Sequence, residues 1–348
     1  MNTIAAALRA WMREGRPFAL ASLVGTTGSS PRPLGTALAV DDRGAAVGGV
    51  SGGCVEAAVY LKCQEVLEHG APAVESFGYS DEDAIAVGLT CGGTMDVLIV
   101  RVEPDDTAIA AALDAILDGE PVTLVRATEG PRLGQAVAIT AHGVVRGPRS
   151  GPLDSAPFEF GADLPAASGR TGEYAVEVHT PPPRLLVYGA IDFAGPLVRI
   201  AKQLGYRVTV CDARAVFATD VRFPEADEVV VDWPHRHFDR TAVDADTAVC
   251  VLTHDEKFDT PLLERALPSD AGFIGAMGSR ATHRARLARL RDTGVPEDAL
   301  ARLRSPIGLD LNGRTAEETA LSILAEITAV RNGAAAGFLT EAHGPIHT

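Results

Sequence analysis

From Arg184 onward the chain alternates short apolar runs with turns and helical stretches, and this rhythm restricts the possible fold more than any other feature. Arg184-Leu-Leu-Val-Tyr188 reads as a buried strand that ends in a glycine turn. Residues 193–204 carry helical spacing and stop at Gly205. Residues 207–211, 228–231, 248–252 and 272–275 read as four more strands, and helical stretches follow the last two, at 261–267 and 282–290. The segment between the second and third strands is short, with room for a turn or a brief helix. Strands alternating with helices imply a parallel, doubly wound α/β sheet.

The turn after the first strand is Gly189-Ala190-Ile191-Asp192-Phe193-Ala194. A dinucleotide-binding turn reads G-x-G-x-x-G/A, so the first glycine and the last small residue are present. Ile191 stands where the second glycine would let a pyrophosphate approach. Asp192 adds a negative charge at a helix N-terminus, which suits the dipole but competes with a phosphate. Asp212 ends the next strand, where an acidic residue would hold a ribose hydroxyl. The pattern predicts a Rossmann-like domain in which NAD or another nucleotide is one candidate ligand. Two further loops should open on the same sheet edge. Thr253-His254-Asp255 follows the fourth strand, with Asp259 as a helix cap or a functional residue. Gly278-Ser279-Arg280 follows the fifth and offers N–H groups, a hydroxyl and a guanidinium to an anion. His235 and His237 read as a solvated surface pair. Thr315 and Glu318 form a capping box, and Gly308 and Asp310 precede it near the crevice.

The N-terminal half is less regular. Strands are expected at 18–24, 36–40, 94–100, 121–125, 135–139 and 174–179, with a helix at 55–67, an α+β pattern. Thr180-Pro-Pro-Pro183 is a stiff spacer, so the domains are placed at 1–180 and 184–331, with a tail at 332–348. Two glycine-rich loops stand out. Gly28-Ser-Ser-Pro-Arg32-Pro-Leu-Gly35 is a rigid turn carrying Arg32. Gly48-Gly-Val-Ser-Gly52-Gly53-Cys54-Val-Glu56 runs into a helix, whose dipole would favour a reactive Cys54 thiolate. Glu56 is expected to cap that helix. Cys91-Gly-Gly93 repeats the local chemistry, while Cys63, Cys211 and Cys250 read as core.

Charge and cysteine content exclude several function classes. The net charge of −15 repels phosphate backbones, so no nucleic-acid partner is expected. The five cysteines form no C-x-x-C pair, which argues against a disulfide framework or zinc knuckle and for a reducing cytoplasm. No apolar run is long enough for a membrane span, and the charged, helically spaced start does not read as a signal peptide. Such an acidic two-domain chain is compatible with a homo-oligomer.

The segments G-S-S-P-R-P-L-G, G-G-V-S-G-G-C-V-E, C-G-G-T-M-D-V, T-H-D-E-K-F-D, F-I-G-A-M-G-S-R and P-I-G-L-D-L-N-G-R-T-A-E-E-T-A-L-S-I-L-A-E-I, in this order from about residue 5 to 331, resemble the xanthine dehydrogenase accessory proteins of the XdhC/CoxI family. The resemblance implies an N-terminal XdhC/CoxI domain and a C-terminal Rossmann-like domain. It also implies binding of molybdenum cofactor, support of its sulfuration with a cysteine desulfurase, and insertion into an apo molybdenum hydroxylase of the xanthine or carbon monoxide dehydrogenase type. Relatives commonly read G-A-G-H-V-A where this chain has G-A-I-D-F-A, so nucleotide binding is the property most altered. On this reading no residue is catalytic. The cofactor set is Arg32, Gly52, Gly53, Cys54, Cys91, Gly189, Asp212, His254, Asp255, Gly278, Ser279 and Arg280, with the Cys54 thiolate as a soft ligand for the metal. The competing readings are a nucleotide-dependent oxidoreductase and a scaffolding partner of a molybdoenzyme.

Overall fold

The computed structural model describes residues 1–27, 32–53, 55–78, 94–147 and 167–341. The chain divides into two compact units that meet at Pro181 and Pro182. Among the described residues no helix is long and apolar enough to cross a membrane.

The first unit holds α1 (Ala5–Arg13), β1 (Phe18–Thr27), β2 (Ala37–Asp41), β3 (Ala46–Gly48), α2 (Glu56–His69), β4 (Ala73–Phe77) and β5 (Thr94–Val102). They are followed by α3 (Thr107–Asp118), β6 (Val122–Ala127), β7 (Ala136–Thr140), β8 (Gly143–Arg146), β9 (Gly169–Thr171) and β10 (Tyr174–His179). Two antiparallel sheets result, in the orders β3-β2-β1-β5-β4 and β8-β7-β6-β10-β9. The apolar run of β1 is continuous because both of its faces are buried. Phe18 and Leu20 join α1, α3 and the second sheet in one core, where Trp11 packs on Phe18. Ala19, Ala21 and Leu23 pack against α2 with Val59, Cys63 and Val66. Helix α3 begins at Asp106, which accepts the Ile109 N–H, and stops at left-handed Gly119.

Arg126 on β6 and Glu177 on β10 form a fully buried ion pair across this second sheet. Burial works to raise the Glu177 pKa, but the Arg126 charge overrides it and holds the carboxyl down at about 2.

The second unit contains β11 (Arg184–Tyr188), α4 (Ala194–Gln203), β12 (Arg207–Asp212), β13 (Glu228–Val231), α5 (Pro234–Phe238), β14 (Thr247–Val251) and α6 (Glu256–Ala266). β15 (Phe273–Ala276), α7 (Arg280–Asp292), α8 (Glu297–Leu300), β16 (Leu303–Arg304) and α9 (Ala316–Arg331) complete it. Its six strands run parallel in the order β13-β12-β11-β14-β15-β16, a Rossmann-like sheet with one strand more than the sequence reading gives. Leu185 and Val187 of β11 face α4 and α9, and Leu186 and Tyr188 face the side carrying α5 and α6. Strands covered on both faces read as unbroken apolar runs, which is why this half is regular in sequence. The Thr315–Glu318 capping box at the start of α9 is formed in both directions. Between β12 and β13 the chain makes turns and no helix.

Candidate functional site

The turn after β11 is built around Gly189, at φ +118°. A Cβ there would lie 2.8 Å from the Thr253 Cγ2 and 3.0 Å from the Thr253 nitrogen, so packing against the β14 exit loop already requires glycine. The Ala190 N–H donates to Asp212 Oδ2 at 2.8 Å. Asp212 also accepts the Arg214 N–H and Nε, each at 2.9 Å, and its Nη2 at 2.8 Å. Burial pushes the Asp212 pKa up, but these hydrogen bonds more than reverse it and leave it below the usual range. Four donors fill the carboxylate, so Asp212 anchors the turn and Arg214 and is no open acceptor for a ribose. Asp192 is 96% exposed and meets Arg222 at 3.3 Å.

Beside this turn, at the C-terminal ends of β11 and β14, lies a cleft of about 690 Å³ lined by Ile191, Arg214, Thr253, His254, Asp255 and Lys257, among others. Its place is where open α/β sheets bind ligands. Arg214 was not anticipated, although an arginine two residues after the strand-ending acid is a readable signal. Its guanidinium stacks on Phe217 at 4.6 Å and keeps the Nη1 hydrogens free of Asp212. Ile191 sits in the lining. His254 is exposed to the cleft. Asp255 caps α6 by accepting the Lys257 N–H at 3.2 Å and pairs with the Lys257 ammonium at 2.8 Å. Of the two readings of Asp259, helix cap or functional residue, the cap is therefore ruled out.

Asp259 instead lies buried beneath the cleft floor. It accepts the Thr253 hydroxyl and Arg286 Nη2, the latter at 2.9 Å. The same Nη2 donates to the Met277 carbonyl at 3.0 Å, and Nη1 reaches the Ser305 hydroxyl at 3.2 Å. One buried guanidinium thus ties the Thr253–Asp255 loop to the Met277–Arg280 turn. Burial raises the Asp259 pKa despite these partners. At that turn Gly278 has φ +141°, and Ser279 caps α7 by accepting the Thr282 N–H at 3.1 Å. Arg280 is exposed and has no partner among the described residues. Gly278, Ser279 and Arg280 do not line the cleft, nor do Gly308 and Asp310. The Gly308 N–H goes to Glu326 at 2.6 Å.

The two histidines of H-x-H are not a solvated pair. His237 is buried and meets the Tyr188 hydroxyl at 3.0 Å through Nδ1. Trp233, just before them, packs on Phe258. Among the described residues no group of three or more His, Cys, Asp or Glu side chains is placed to hold a metal ion. Cys63, Cys211 and Cys250 are buried, and burial pushes the Cys63 and Cys211 thiols up to about 12.

In the first unit Gly52 and Gly53 adopt φ +96° and +133° with open space where a Cβ would stand. Their N–H groups are already engaged. Glu56 Oε1 accepts from Ser51 and Gly52 at 2.9 and 2.8 Å, and Oε2 accepts from Gly53 at 2.8 Å and from the Ser51 hydroxyl. Burial acts to raise its pKa, but these bonds bring it down to about 2. The carboxylate fills an N–H nest of the kind that binds anions. Arg32 is exposed. Cys54, Cys91 and residues 28–31 lie outside the described residues.

Comparison with known proteins places both units. Residues 185–327 match the XdhC Rossmann domain and residues 11–78 match the XdhC and CoxI family, together more than half of the chain. A molybdenum cofactor insertion chaperone, PaoD, of Escherichia coli is 27% identical over 92% of this chain and 85% of its own length. A probable xanthine dehydrogenase subunit of Bacillus subtilis is 25% identical over 93% and 96%. The crystal structure of a xanthine dehydrogenase from Bacillus halodurans is similar with a TM-score of 0.76 at 25% identity, covering 97% of this chain and 98% of that one. The parallel sheet of the second unit and the glycine-rich loop ahead of α2 both fall inside the matched segments, and the chain belongs to the XdhC and CoxI family.

Proposed function

We propose that this protein carries molybdenum cofactor as cargo, assists its sulfuration with a cysteine desulfurase, and hands it to an apo molybdenum hydroxylase in the cytoplasm. The match along nearly the whole chain to a cofactor insertion chaperone carries this reading. The cleft of the second unit supports it. The cargo is an anionic pterin phosphate, and Arg214, Lys257 and His254 bring cationic and hydrogen-bonding groups to one cavity. Arg280 adds a second open guanidinium on the Gly278–Arg280 turn. In the first unit, Arg32 and the Gly52–Gly53 loop are the proposed contacts, and Cys54 and Cys91 supply the thiolates suited to a soft metal. Ile191 in the cleft and the saturated Asp212 weigh against the nucleotide-dependent oxidoreductase reading.

The test incubates purified protein with molybdenum cofactor or with NAD(H) and measures what a sizing column retains. Retained pterin that then activates an apo molybdenum hydroxylase is the expected result. Retained nucleotide with reductase activity, and no pterin, overturns the proposal. Pterin retention unchanged in Cys54→Ala/Cys91→Ala removes the thiolate part alone.

A further inference from the structure

One face of the parallel sheet is covered unevenly. Over β14 and β15 it is packed by α6. The crossing from β13 back to β14 contributes only the five-residue α5 and coil, which leaves a cavity of about 410 Å³ over β11, β12 and β13. It lies at the N-terminal ends of these strands, whereas the cleft opens at their C-terminal ends.

Arg184 and Arg207 head two adjacent strands and are register partners. Both line this cavity. Arg184 donates to the Ala242 carbonyl at 2.6 Å and has no carboxylate partner, and the Arg207 side chain makes neither a hydrogen bond nor an ion pair among the described residues, although Asp227 lies close enough to feel its charge. Like charges side by side on neighbouring strands destabilise a sheet. An anion spanning both guanidiniums removes that repulsion, and the planar forks match phosphate oxygens. Arg240, also in the lining, is paired with Asp232. The one carboxylate of the lining is Glu228, whose Oε2 is 3.4 Å from the Thr209 hydroxyl. His237 is the buried wall. Its Nδ1 lies 3.0 Å from the Tyr188 hydroxyl. The cavity therefore joins a strong anion-binding end to an acceptor suited to hydroxyl groups.

We propose that this cavity binds the phosphate monoester of a small hydroxylated molecule, a sugar phosphate or nucleoside monophosphate, with Arg184 and Arg207 on the phosphate and Glu228 on the hydroxyls. The site is separate from the cleft and does not depend on the cargo assigned to it. Titration calorimetry of the full chain with ribose 5-phosphate, inorganic phosphate and ribose tests it. Ribose 5-phosphate should bind more tightly than either of the others. Arg207→Gln and Arg184→Gln should each weaken it about tenfold, the effect of one lost charged hydrogen bond. Glu228→Gln should erase the preference over inorganic phosphate. Arg214→Gln, in the separate cleft, should leave ribose 5-phosphate binding at this cavity unchanged. Circular dichroism checks that each variant is folded, as substitution of exposed Arg207 and Glu228 should permit. No binding at millimolar ribose 5-phosphate, equal binding of inorganic phosphate, binding that survives Arg184→Gln/Arg207→Gln, or binding lost with Arg214→Gln would each overturn the proposal.

Discussion

In the first unit the N–H groups of Ser51, Gly52 and Gly53 all turn toward Glu56; in the second, Arg214, Lys257 and His254 line a cleft with hydrogen-bonding capacity to spare. Both regions pair a glycine-rich turn with a helix, yet one is satisfied from within and the other is left open. The buried ion pairs repeat the contrast. Arg126–Glu177 joins two strands of one sheet, while Arg286–Asp259 joins two helices, α6 and α7. Glycine content alone therefore does not mark a ligand site. What matters is whether the donors it exposes have partners already.

Each unit holds one of the two tryptophans, Trp11 and Trp233, so the contrast can be broken or sharpened unit by unit in urea unfolding followed by fluorescence. The largest effect is expected from Arg126→Met, which takes the guanidinium from buried Glu177, leaves His179 beside it at 3.8 Å, and should destabilise the first unit by about 3–5 kcal/mol. An equal shift of the Trp233 signal would show that the units do not respond separately. Gly189→Ala should cost the second unit about 3 kcal/mol, from the clash with Thr253 and the left-handed backbone, and should impair the cleft. Arg286→Met should cost the second unit about 2–3 kcal/mol. Asp259, already inclined to hold a proton, can neutralise itself in that variant.

Acid should weaken the first unit through two named carboxylates. Glu56 and Glu177 titrate at about 2, below their ordinary 4.5. Their stabilisation is fully present above 4.5 and is lost as pH falls toward 2. Asp259 is shifted the other way, so its ionisation costs stability as pH rises and acid relieves that cost. The Trp11 transition should therefore fall as pH drops from 4.5 toward 2, and Glu56→Gln should flatten part of that slope. A slope unchanged by Glu56→Gln would count against this assignment. The smallest effect belongs to the α9 cap, where Thr315→Ala should lower the second unit's stability by about 1 kcal/mol.

Much of the second unit was legible because its strands announce themselves as unbroken apolar runs between glycine turns, and its last helix by a local capping box. The onset of α6 was not, because Pro261 sits inside the helix and reads as its start, while the true cap is Asp255. In the first unit α3 escaped notice. The readable signals are Asp106 and Gly119 at its ends. The short strands β3 and β9 have three residues each, too few to show alternation. At the candidate site, His254 and Asp255 were placed correctly on a strand-exit loop. Arg286 is not legible, because its role depends on Asp259, 27 residues away along the chain, whereas Arg214 is signalled locally by Asp212 two residues before it. The burial of His237 likewise depends on Tyr188, 49 residues away along the chain.

Glu56 has a consequence for selectivity. A carboxylate tethered three to five residues from the amides it occupies competes at an effective concentration of about millimolar or more, and it never diffuses away. Stray inorganic anions of the cell must outcompete this resident one to enter the loop. Only a guest gripped at a second point could evict it, so the loop works as a threshold that ignores casual visitors.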